Sequence, residues 1–128
     1  MVVRHLVPSL TWTCVILFLY AIPGSSLPSA RLYEFLPLDK VAHFFVFLGY
    51  VLMLNVGIAK QIGLDSICRK ASVYALLVSV GVGVFLELIQ GTVFVERTTD
   101  FIDLLINVLG SLVGIVIFKM LYKQPFAR

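Results

Sequence analysis

Charge is scarce in this chain: Asp, Glu, Lys and Arg make up only 13% of its 128 residues, against 60% that are hydrophobic. A soluble domain of this size needs far more polar surface to cover its core, so an aqueous globular fold is excluded. A mean hydropathy of +1.03 makes lipid the natural solvent. Cysteine is nearly absent. Cys14 lies inside an apolar run and Cys68 in a charged loop; the two sit at different depths, so no disulfide is expected. Neither has metal-ligand spacing, and both read as inert. No G-x-S-x-G nucleophile motif, glycine-rich phosphate loop or H-x-x-x-H pair occurs, so no metal or cofactor is expected. Repeats, low-complexity tracts and a soluble appendage are also missing, which leaves one domain over residues 1–128.

Four apolar runs are present, at about residues 6–22, 41–59, 71–90 and 101–121. Each is long enough to cross about 30 Å of hydrocarbon as a helix. Pro23-Gly24-Ser25-Ser26, the Lys60 to Lys70 stretch and Glu96 to Asp100 separate them. The expected fold is all-α: a polytopic membrane protein built as a bundle of four transmembrane helices.

The net charge of +3 and the pI of about 9.0 do not point to nucleic acid, because the basic residues sit in loops and at the ends, where they orient spans. The first and third loops carry Arg31, Lys40 and Arg97. The N-terminus, second loop and C-terminus carry Arg4, Lys60, Arg69, Lys70, Lys119, Lys123 and Arg128. The excess of basic residues on cytoplasmic segments therefore predicts both termini inside. The first run can also be read as a signal peptide, but it exceeds the about 7–15 residues of a typical apolar signal core. The sequence does not decide whether it is cleaved, and removing it would leave the polar groups described next on the same side.

Those polar groups all fall at one end of their spans. Lys40 and His43 open the second, Glu87 and Gln90 close the third, and Asp103 and Asn107 open the fourth. In a serpentine of four spans these ends meet at one membrane face. At about 100° per residue, Asp100, Asp103, Asn107, Gly110, Ser111 and Gly114 share one stripe about 100° wide. Ser72, Ser79, Gly83, Glu87 and Gln90 share another, with Gly81 and Gly83 thinning that helix. Such stripes must face protein, since ionisable groups in hydrocarbon cost about 2.5–3.5 kcal/mol each on insertion scales. Gly110 and Gly114 form a G-x-x-x-G that admits a close helix neighbour, or a second copy of the chain as a homodimer. Asp39 is placed to cap the second span.

Several chemistries fit this inventory. A partly buried ion-pair network that fixes helix register is the bland reading for any one pair. It fits less well for a histidine, an amide pair and four carboxylates together. His43 and Glu87 make a candidate acid–base pair. Lys40, Gln90, Arg97, Asp100, Asp103 and Asn107 make a candidate ligand-binding set, with the cations suited to a phosphate or carboxylate. Phe44, Phe47, Phe94 and Phe101 supply aromatic walls. A metal held by His43, Glu87 and Asp103 is the weakest reading, for want of ligand spacing.

The pattern Asp39-Lys40-x-x-His43-Phe44-x-x-Phe47, then Glu87-x-x-Gln90, then Arg97, Asp100, Asp103, Asn107 and Gly110 resembles the VanZ-like family of small bacterial membrane proteins. The resemblance runs from Leu38 to Gly114, about half the chain. It implies a multi-pass protein of the bacterial cytoplasmic membrane, and carries Lys40, His43, Glu87, Gln90, Arg97, Asp100, Asp103 and Asn107 over as the site. The family is named for a member associated with resistance to the glycopeptide teicoplanin, and most members have no assigned activity. The leading expectation is thus an envelope protein whose outward pocket engages a membrane lipid, a lipid-linked envelope precursor or a lipoglycopeptide. An intramembrane hydrolase or transferase acting on a lipid-linked phosphate or ester, using His43 and Glu87, ranks second. A small transporter ranks last, because transport sites need polar groups near the midplane.

Overall fold

The computed structural model describes residues 4–22, 38–62, 68–93 and 100–122. They form four helices: α1 (Val7–Ala21), α2 (Leu38–Ile62), α3 (Cys68–Thr92) and α4 (Phe101–Tyr122). No strand occurs among the described residues. Three stretches, Asp39–Gln61, Lys70–Thr92 and Phe101–Tyr122, are long and apolar enough to cross a membrane. The α2 and α3 helices run past the apolar runs that predicted them, because a helix satisfies its own backbone groups and need not stop where side chains turn polar. Helix α1 is shorter than its apolar run, at 15 residues, with Pro8 in its first turn. Its length of about 22 Å falls short of a full hydrocarbon core.

Helix α2 is the centre of the bundle and touches all three others, α4 most extensively. The reason lies in two glycines. A methyl group built at Gly110 would collide with the Phe44 carbonyl oxygen, and one at Gly114 with Val51 and, at 2.8 Å, with the Leu48 carbonyl oxygen. Only glycine lets the two backbones approach this closely. The G-x-x-x-G is therefore consumed inside the chain: both glycines are buried against α2 and offer no free surface to a second copy. Gly83 also faces the interior, toward Phe47 and Leu104, whereas Gly81 meets nothing within 4 Å, so only one of the two glycines thins α3 where it matters.

Phe47, Tyr50, Val51, Leu86 and Ile16 form the apolar core. Outward-facing positions such as Phe45, Leu77, Phe85, Leu105, Leu109 and Val116 are exposed, an apolar exterior suited to lipid. Helix α1 joins the core through Ile16, Tyr20 and Trp12 and is also tied by polar contacts. Trp12 Nε1 donates to the Val46 carbonyl at 3.1 Å, and Thr13 Oγ1 donates to the Tyr50 hydroxyl at 3.1 Å. In α3 and α4 the predicted stripes are buried: Ser72, Ser79, Gly83, Glu87 and Gln90 on one, Asp103, Asn107, Gly110, Ser111 and Gly114 on the other. Ser79 and Ser111 share a hydrogen bond of 2.7 Å between the helices, and Ser111 Oγ also donates to the Asn107 carbonyl.

Candidate functional site

The four helix ends do meet. The end of α1, the start of α2, the end of α3 and the start of α4 bring a polar cluster together at one end of the bundle. Lys40 lies at its rim. Its Nζ donates to Asp103 Oδ1 at 2.8 Å and to Asp100 Oδ2 at 3.1 Å, tying α2 to the opening turn of α4. Asp100 also accepts the Ile102 amide at 2.9 Å through Oδ1, so it caps α4. Outside the spanning segment, the Asp100 carboxyl is held below the usual carboxylate range, chiefly by the Ile102 amide and then by Lys40. Glu87 reaches across from α3, its Oε2 accepting the Asp100 amide at 3.2 Å. One carboxylate thus holds the chain as it enters α4, and the next caps the helix.

Deeper in, His43 is enclosed. Its Nδ1 lies 2.7 Å from the Tyr20 hydroxyl and 3.2 Å from Asn107 Oδ1, and its Nε2 lies 3.6 Å from Asp39 Oδ1. Asn107 Nδ2 donates to the Tyr20 hydroxyl at 3.3 Å. The Asn107 amide donates to Tyr20, and Nδ1 serves one neighbour in each tautomer: as an acceptor it takes the Tyr20 hydroxyl proton, and as a donor it gives its own to Asn107 Oδ1. The Tyr20 and His43 rings lie against each other, with centroids 4.8 Å apart. Asp39 sits inside the first turn of α2 rather than capping it, and its carboxylate is directed at His43.

Two atoms in the cluster stand out. Glu87 Oε1 and Gln90 Nε2 are buried and have no hydrogen-bond partner, although both residues are at most 3% exposed. A buried unsatisfied polar group costs about 1–3 kcal/mol, and such atoms ordinarily have a partner. One is an acceptor and the other a donor, one helical turn apart.

A family model described as VanZ/LLP1 matches residues 5–122. The chain belongs to the VanZ/LLP1 family. That match covers nearly the whole chain, well beyond the half from Leu38 to Gly114 that the motifs mark. No curated protein and no solved structure matches it. As a VanZ-like protein with several membrane-length helices, it is a multi-pass membrane protein.

Among the residues expected in the site of this VanZ-like chain, Lys40, His43, Glu87, Gln90, Asp100, Asp103 and Asn107 come together. Arg97 lies outside the described residues, as does Phe94. His43 and Glu87, the candidate acid–base pair, are engaged by different partners. Of the other aromatic walls, Phe47 is buried and Phe44 half-buried, but Phe101 is exposed on the outer face. The histidine-containing trio nearest a metal-ligand arrangement is Asp39, His43 and Asp103, with ligand-type atoms all within 4.8 Å of one another; it includes Asp39 in place of Glu87. The Lys40 ammonium already holds one of its carboxylates. Tyr20 is the residue the sequence did not reveal. It comes from α1, so that helix contributes to the site, and a chain cut after residue 22 would lose the group hydrogen-bonded to His43.

Proposed function

We propose that this VanZ-like protein uses its polar cluster to hold the hydroxyl-bearing headgroup of an amphipathic envelope ligand. That ligand is a lipid-linked envelope precursor or a lipoglycopeptide, and the protein contributes through it to teicoplanin-type resistance. The carrying observation is the pair of unpartnered atoms, Glu87 Oε1 and Gln90 Nε2. A hydroxyl group donates and accepts at once, so one hydroxyl, or two neighbouring ones, answers both atoms. The surrounding carboxylates outnumber the described cation, Lys40, which favours a neutral polyol or an amino sugar over a bare anion. The apolar flanks of the bundle leave room for the acyl part of such a ligand in lipid. On this reading the protein sits in the bacterial cytoplasmic membrane with both termini inside and the cluster outward, as the distribution of basic residues predicts.

The test is teicoplanin susceptibility of a sensitive host expressing wild type or Glu87→Ala, with membrane abundance checked for both. Protection by wild type that the variant loses supports the reading. Equal protection from both removes the cluster from the function, and no protection from wild type removes the resistance role. Acid–base catalysis ranks behind binding because His43 Nδ1 is held by Tyr20 and Asn107 while Glu87 is held by the Asp100 amide. Glu87→Gln separates the two: it keeps an acceptor but cannot transfer a proton, so full function in this variant is incompatible with proton transfer by Glu87.

A further inference from the structure

At the end of the bundle opposite the polar cluster, the start of α1 and the ends of α2 and α4 line an open cavity of about 620 Å³. That is within the about 300–1,000 Å³ typical of small-molecule sites. Its walls are apolar, with Met53, Val56, Phe118 and Leu121 among them, and its basic groups are Arg4 and Lys60. Among the described residues, no acidic one lines it. The cluster at the other end is the reverse, with carboxylates in excess. Backbone contact fixes one side of the cavity: a methyl at Gly57 would lie 2.6 Å from the His5 carbonyl oxygen, so the start of α1 rests directly on α2. Arg4 and Lys60 are both exposed, at the end of the bundle where long basic side chains reach headgroups.

We infer that this cavity is a binding site for an anionic phospholipid, one acyl chain lying along Met53, Val56 and Phe118 and the phosphate meeting Arg4 and Lys60. Two features select this occupant. A largely apolar wall, with His5 and Tyr122 the polar side chains besides the two cations, suits an acyl chain. Two cations, with no carboxylate among the described lining residues, suit a headgroup of net negative charge, and phosphate recognition by Arg adds directed hydrogen bonds. The site is separate from the polar cluster and does not depend on what that cluster binds.

The probe is phosphatidylglycerol against phosphatidylcholine, read by native mass spectrometry of the intact protein released from detergent. Wild type is expected to retain phosphatidylglycerol in preference. Arg4→Gln/Lys60→Gln is expected to weaken that retention about thirtyfold, the equivalent of ~1 kcal/mol for each cation at an anionic lipid surface. Val56→Phe, which keeps both charges but narrows the acyl path, is expected to weaken retention of the lipid as well. A melting scan in vesicles of each lipid shows whether either variant is folded, and a folded variant is the one scored. Equal retention of the two lipids by wild type, unchanged retention in the glutamine double variant, or a lipid-free dimer covering the cavity would each overturn the inference.

Discussion

Gly110 is the position where one added methyl group should do the most damage. A Cβ there meets the Phe44 carbonyl oxygen, then Phe44 C at 3.1 Å and Cα at 3.3 Å. All three are backbone atoms of a packed helix, so no side-chain rotation relieves the contact and α2 must move away from α4. Overpacking of this kind costs about 1–3 kcal/mol, offset in part by the about 0.5–1 kcal/mol that alanine gains over glycine in a helix. The net expectation for Gly110→Ala is a loss of about 1–2 kcal/mol, or roughly tenfold in the folding equilibrium. Gly81→Ala is the control, since nothing lies within 4 Å of its added methyl; it should be neutral or stabilising by about 0.5–1 kcal/mol. Gly114→Ala should fall between, because Val51 can rotate although the Leu48 carbonyl cannot. The measurement is unfolding by SDS titration in mixed micelles, followed by the fluorescence of the single tryptophan, Trp12, which is hydrogen-bonded to α2. Equal stability of Gly110→Ala and wild type, or equal damage from Gly81→Ala, would refute close backbone packing as the basis of the α2–α4 contact. Phe44 adjoins His43, and Gly110 lies one turn from Asn107, so the same displacement should also stretch the His43–Asn107 contact.

A double-mutant cycle on Lys40 and Asp103 should give a coupling of about 1–3 kcal/mol, against less than about 1 kcal/mol for Lys40 and Asp100. The ordering follows from the shorter contact and from side-chain exposures of 11% for Asp103 and 40% for Asp100; a reversed order in unfolding titrations would contradict it. Tyr20→Phe should destabilise by about 1–3 kcal/mol, since it strips a partner from both His43 and Asn107, and it should reduce function beyond what its lower abundance explains. Asp100 has a depressed carboxyl pKa in the folded state, so its stabilising contribution is complete above the ordinary value of 3.8 and disappears as pH falls below it. Melting temperatures between pH 5 and about pH 3 should therefore fall less in Asp100→Asn than in wild type.

The buried stripes of α3 and α4 were legible because period and polarity agree: a carboxylate, an amide, a serine and two glycines at helical spacing admit one inward face. The meeting of helix ends followed from alternation of direction alone. Tyr20 was not legible, because a tyrosine closing an apolar helix reads equally well as an interfacial anchor. Its partnership with His43 depends on how α1 crosses α2, which no local pattern encodes. The same limit applies to Gly110 and Gly114. Their spacing announces a close neighbour but not which one, and α2 takes that place. Phe101 was assigned to the pocket from proximity in sequence to Asp103, yet adjacent helix positions point in different directions, and it turns outward.

The chain is two helical hairpins, and neither is electrically whole. The first brings Lys40, His43 and Asp39; the second brings Glu87, Asp100 and Asp103, with Arg97 between them in sequence. The ammonium that steadies the second hairpin's carboxylates resides on the first, and the glycines that seat the first reside on the second. Each half thus enters the bilayer carrying a vacancy that only the other can fill. The joint between them is selective, because a misregistered pairing would strand Asp103 without Lys40 and set Phe44 against a side chain instead of Gly110. Two fragments divided between α2 and α3 and made separately in one cell have, in these matched vacancies, the means to find each other and rebuild the bundle.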